Sequence, residues 1–78
     1  MRIKREYLGY KIIIDQYQMK TMQDDWIDIW QCSINGQDVT NQTAERIDER
    51  LLAMVVPADV REEIKSYIYE ESKNMTWD

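Results

Sequence analysis

The side chains of this sequence that could do chemistry are its carboxylates. Fifteen residues are Asp or Glu, against ten Lys or Arg and no histidine. Asp24-Asp25-x-x-Asp28 is the tightest group set in a loop. Calcium needs about six to eight oxygen ligands in a defined loop that usually turns on a glycine. Three carboxylates without a glycine read instead as a solvated loop running into a strand whose Asp28 discourages edge pairing. The second group is Asp59, Glu62, Glu63, Ser66 and Glu70. On a helix this spacing puts Cβ atoms about 5–6 Å apart along one face. Such a row can take the place of phosphates on a surface lined with Lys and Arg; its plainer reading is a solvated acidic face.

Other site chemistries lack their residues. Without histidine the commonest general base and metal ligand is missing. Cys32, the only cysteine, has no partner for a disulfide or a zinc site. It sits in an apolar run and reads as a small buried hydrophobe. Gly9 and Gly36 are the only glycines, too few for a phosphate-cradling loop. A chain of 78 residues hides only about 60% of its unfolded surface. That leaves little to wall a ligand cavity of about 300 Å³ or more. The expectation is a protein with no catalytic residues, metal or cofactor. An enzyme would need a carboxylate pair in a pocket shared between subunits.

The elements that must carry these residues read as one α+β domain over residues 1–78. Tyr10 to Tyr17 is rich in β-branched and aromatic residues, and a first strand is expected over about 7–18, with Gly9 as a bulge or bend. Trp26 to Ile34 is the second strand. Asn35-Gly36 suits the two left-handed positions of a tight hairpin turn and predicts a short third strand over 37–40. The three form an antiparallel meander with the second in the middle. Ile47, Leu51, Met54 and Val55 then repeat at helical spacing, predicting a helix over 43–56 capped by Thr43 or Asn41. Pro57 ends it. Val60, Ile64, Tyr67 and Ile68 predict a second helix over 58–73. Both helices are expected on one face of the sheet.

Three features exceed what this plan needs. Both long strands are apolar on both faces: Tyr10, Ile12 and Ile14 oppose Ile13 and Tyr17, and Trp26, Trp30, Cys32 and Ile34 oppose Ile27 and Ile29. An antiparallel sheet with a free face usually alternates cleanly. Either a bulge near Ile29-Trp30 swaps the faces, or the uncovered face carries an aromatic patch, with Tyr17, Trp26 and Trp30 as candidate contact or dimer residues. Leu51 to Val56 is apolar all round, which predicts burial on every side. Like charges stand four apart at Glu45/Glu49 and Arg46/Arg50, so the charges are sorted rather than alternated.

Charge is also sorted along the chain. Residues 1–20 carry a net +3 and residues 21–78 a net −8. An acidic body repels phosphate backbones, so direct nucleic-acid binding is not expected. A second helix bearing Asp59, Glu62, Glu63, Glu70 and Glu71 is a poor groove reader. No secretion signal or membrane span is visible, which predicts a cytoplasmic protein outside the membrane. The expected function is a small acidic protein-binding protein. The candidate contacts are the acidic helix face (Asp59, Glu62, Glu63, Glu70) or the aromatic sheet face (Tyr17, Trp26, Trp30). The partner would be a protein with a basic surface. In size and acidity the chain is similar to the small inhibitors, anti-CRISPR proteins among them, that viruses and mobile elements direct at host nucleic-acid-handling complexes. The alternative is a self-associating accessory protein that uses the sheet face as a homodimer interface.

Overall fold

A computed structural model describes residues 1–41 and 46–74. It is a small α+β fold. The elements are β1 (Arg2–Tyr7), β2 (Tyr10–Lys20), β3 (Trp26–Ile34), β4 (Gln37–Asp38), β5 (Thr40–Asn41), β6 (Arg46–Ile47), α1 (Glu49–Val55) and α2 (Ala58–Lys73). β1 to β4 form one antiparallel sheet in chain order, and β5 pairs with β6 in a second, two-stranded sheet.

The meander therefore has four strands where three were expected. The extra strand, β1, comes from a charged stretch. Ile3, Arg5 and Tyr7 face one way while Arg2, Lys4 and Glu6 face the other, and charges of this kind suit an edge strand. Leu8-Gly9, read as a bulge or bend, is a two-residue turn with φ of 52° and 83°. Asn35-Gly36 repeats the same two values, the left-handed pair that matches strand twist in a tight hairpin. Leucine carries a Cβ penalty there, which is why the first hairpin leaves a weaker trace in the sequence than the second.

The β2–β3 register runs unbroken from Ile12 opposite Ile34 to Lys20 opposite Trp26. No bulge interrupts it at Ile29-Trp30, so that reading is set aside. Ile12, Ile14, Cys32 and Ile34 share one face and form the core with Val39, Ile47, Leu52, Val56, Ile64 and Ile68. Thr40 stitches the second sheet on: its Oγ1 accepts the Cys32 N–H at 2.5 Å and donates to the Cys32 carbonyl at 3.0 Å.

α1 begins later than the apolar spacing implies. Arg46–Ile47 is a strand, paired with Thr40–Asn41, so Asn41 is no cap; Thr43 lies outside the described residues. Asp48 caps the helix instead, its Oδ1 accepting from the Arg50 and Leu51 amides at 2.9 and 3.3 Å. Arg46 and Arg50 consequently are not a helical pair. The Leu51–Val56 run is not buried all round either: Leu52 and Val56 are, but Ala53 is exposed and Met54 is 81% exposed. Val56 turns extended before Pro57, as a residue preceding proline does. The Arg61 guanidinium donates twice to the Val56 carbonyl, at 3.2 and 3.0 Å, and holds the corner between the helices.

Candidate functional site

Strand pairing sorts the sheet residues by face. Side chains directly opposite one another in an antiparallel ladder lie on the same face, so the register gives rows. One face carries Ile12 with Ile34, Ile14 with Cys32, Gln16 with Trp30, and Lys20 with Trp26. The second face carries Lys4, Ile13, Ser33 and Asp38 in one row, Arg2, Asp15 and Gln31 in the next, then Tyr17 with Ile29 and Met19 with Ile27.

The contacts of α2 fall on the first face. Tyr7 stacks on Tyr67 with ring centres 4.0 Å apart. The Trp30 indole N–H donates to Ser72 Oγ at 2.9 Å, and its ring lies 6.2 Å from that of Tyr69. Arg5 pairs with Glu71 at 3.7 Å. The three aromatic candidates thus do not form one patch. Trp30 packs toward the helix, Trp26 is 63% exposed on the same face near the end of the hairpin, and Tyr17 stands on the opposite face. There its hydroxyl donates to Gln31 Oε1 at 3.3 Å. The apolar residues of the second face are aliphatic but for one ring: Ile13, Tyr17 and Ile29 are half-buried, and Met19 and Ile27 exposed. The alternation of apolar residues in the sequence carried Ile13, Tyr17, Ile27 and Ile29; Met19 lies past the expected end of the first strand at about 18, which the structure extends to Lys20.

Two further features belong to this face. β1 pairs with β2 as far as Asp15, with Met1 bonded to the Gln16 backbone just beyond it, and β4 meets β3 at Ser33 and Ile34. From Tyr17 to Lys20 and from Trp26 to Ile29 the two long strands pair only with each other, as a ribbon with Met22 fully exposed in its loop. The Thr21 hydroxyl accepts the Gln23 and Asp25 amides, and Lys20 pairs with Asp24 at 2.8 Å, so the loop is held by its own groups. At the other end, Ile13, Asp15, Gln31, Ser33 and Asp38 line a shallow depression of about 130 Å³. Its carboxylates are unequal. Asp15 pairs with Arg2 at 2.8 Å, while among the described residues Asp38 accepts only the Thr40 amide, at 2.9 Å.

The acidic candidates lie along α2. Asp59, Glu62, Glu63 and Glu70 are all exposed, and Ile64 and Ile68 are buried on the other side of the helix. Three of the four have neighbours. Glu62 lies 3.5 Å from Lys65, Glu70 lies 3.4 Å from Lys73, and Glu63 accepts the Tyr7 hydroxyl at 2.9 Å. That last bond raises the Tyr7 phenol above its ordinary value. Lys65 is also bonded to Glu49, which raises its pKa. The row is thus a partly compensated acidic face.

Cys32 lies behind the depression in the core, and burial, with the Asp38 charge second, pushes its thiol up to about 12. A thiol held so firmly in its protonated form is a poor nucleophile. A concavity of about 610 Å³ at the start of α1 mixes signs: Arg46, Arg50 and Lys65 line it with Asp48 and Glu49 beside Tyr69. Among the described residues no group of three or more Cys, Asp or Glu side chains is placed to hold a metal, and no helix is long and apolar enough to cross a membrane.

No family model, curated protein or solved structure matches this chain.

Proposed function

We propose that this chain is a non-catalytic protein-binding protein, with both helices as one layer on the Ile12–Ile34 face and the second face of the sheet as the contact surface. The observation that carries the reading is the apolar set Ile13, Tyr17, Met19, Ile27 and Ile29 on the face that α2 does not touch. Tyr17, Met19, Ile27 and Ile29 are contiguous, with Ile13 set apart by the Asp15–Gln31 row, and an exposed apolar patch marks interaction sites more often than idle surface. The test is affinity capture from the native host with mass-spectrometric identification, run in parallel with the native protein and with Tyr17→Lys/Ile29→Lys. The reading expects a protein held by the first bait and lost by the second. Equal capture by both baits removes the second face from consideration.

A second reading rests on the exposed row Asp59, Glu62, Glu63 and Glu70. In it the chain is an inhibitor of anti-CRISPR type that lays its acidic helix into a basic, nucleic-acid-binding groove of a larger protein. Exposed pairs such as Glu62–Lys65 contribute about 0–1 kcal/mol, so a basic partner could replace them at small cost. Competition by the partner's nucleic acid would support this reading; a ternary complex at full affinity would remove it.

A further inference from the structure

We infer that the second face of the sheet receives a second copy of this chain, packed face to face about a two-fold axis that runs along the strands between β2 and β3. The inference rests on the protein-binding reading above and names its partner. A two-fold interface brings the same patch of each copy together. Rotation about this axis keeps every row of the sheet level with itself and exchanges its two ends. Tyr17 then lies over Ile29 of the second copy, and Met19 over Ile27. Aligned sheets pack in this way, about 10 Å apart and within about 30°.

The polar rows decide the occupant. In the row of Lys4, Ile13, Ser33 and Asp38, the rotation sets Lys4 of each copy over Asp38 of the other. Neither residue has an ion pair among the described residues. Lys4 is exposed, and Asp38 stands on the rim of the 130 Å³ depression beside Asp15. A single chain thus carries both an unpaired cation and an acidic depression, at positions that its own symmetry brings together, and each pair is made twice. In the next row Asp15 comes over Gln31. An in-plane axis across the strands through the Tyr17 row offers no such match, because β1 ends before that row and leaves nothing for a partner's lysine to meet.

Sedimentation equilibrium from about 1 µM to about 1 mM tests the inference, the upper end corresponding to the weakest specific association. The expected result is a monomer–dimer equilibrium. Lys4→Asp and Asp38→Lys should each weaken it about tenfold or more, and the two together should restore it to within about threefold. Asp38→Asn retains the acceptor for the Thr40 amide and removes the charge; it should weaken the dimer while leaving the thermal midpoint of the monomer unchanged. Tyr17→Lys should abolish the dimer. A monomer throughout the range overturns the inference, and so does a dimer indifferent to Tyr17→Lys or one whose charge swap fails to rescue. A monomer that still captures a host protein through Tyr17 and Ile29 overturns the second copy and leaves the protein-binding reading standing.

Discussion

Leu8 holds a conformation, and Cys32 a proton over a range of pH, that their side chains do not ordinarily keep. Leu8 sits at φ 52° in the β1–β2 turn and is half exposed. An L-residue in the left-handed region costs roughly 1–2 kcal/mol, and asparagine tolerates it better. Leu8→Asn should therefore raise the unfolding free energy by about 0.5–1 kcal/mol, read as a shift of the urea midpoint at constant slope. Cys32 is held protonated up to about 12, whereas its ordinary value is 9.0. The unfolded chain loses that proton first, so this contribution to stability is complete below about pH 9 and drains away as pH rises toward 12. Tyr7 and Tyr67, both raised, act in the same direction. The thermal midpoint should fall between pH 9 and 11, and fall less steeply in Cys32→Ala. A thiol reagent at pH 8 should leave the folded protein unmodified and react fully in denaturant.

Trp26 and Trp30 make the same point about elements. They are the same residue type, four apart on one strand and on one face. Only Trp30 meets α2, through Ser72 and Tyr69. Trp30→Ala should cost about 3 kcal/mol or more as a packed aromatic, and Trp26→Ala about 0.5 kcal/mol, since it lies beyond the helix. Both can be read by urea denaturation. The sequence made α2 legible because Ile64 and Ile68 sit where helical spacing puts a buried stripe, and it made the β3–β4 hairpin legible because Asn-Gly has few other uses. β1 stayed hidden because its charges belong to an edge, and α1 was read too long because Arg46–Ile47 satisfies strand and helix patterns equally. The cap that decides the matter is Asp48. Asp48→Ala should cost about 1 kcal/mol by the same measurement. The division of Tyr17 from the two tryptophans was not legible, because alternation sorts faces within one strand and only the register sets Tyr17 opposite Ile29. Nor was the side the helix would take, because both faces are apolar enough to receive one.

At the scale of the whole molecule, α2 makes its contacts with the first sheet face and leaves Asp59, Glu62, Glu63 and Glu70 exposed. If two copies join through their sheets, the row Asp59, Glu62, Glu63 and Glu70 is displayed twice, outward, on opposite sides. A basic partner with two sites would then be held by linked contacts rather than single ones. Asp59→Lys/Glu62→Lys is the informative reversal, since Glu63 is engaged by Tyr7 and its loss would confuse folding with binding. It should leave folding within about 0.5 kcal/mol and abolish the salt-sensitive part of any such association. Titration of partner binding between low and physiological salt, native against reversed, is the check. An unchanged affinity would dismiss the acidic row.

The ribbon has a practical consequence. Its loop, Thr21 to Asp25, is closed by Thr21 and Lys20 and places none of its side chains in the core. Strands β2 and β3 are joined by nine opposed residue pairs below it. Severing the peptide bond after Met22 should therefore leave two fragments that remain associated, each contributing one long strand to the same sheet. The intact fold would be recovered by mixing them, and the rate at which a protease cleaves that bond would report, without any label, whether something has closed over the tip of the hairpin.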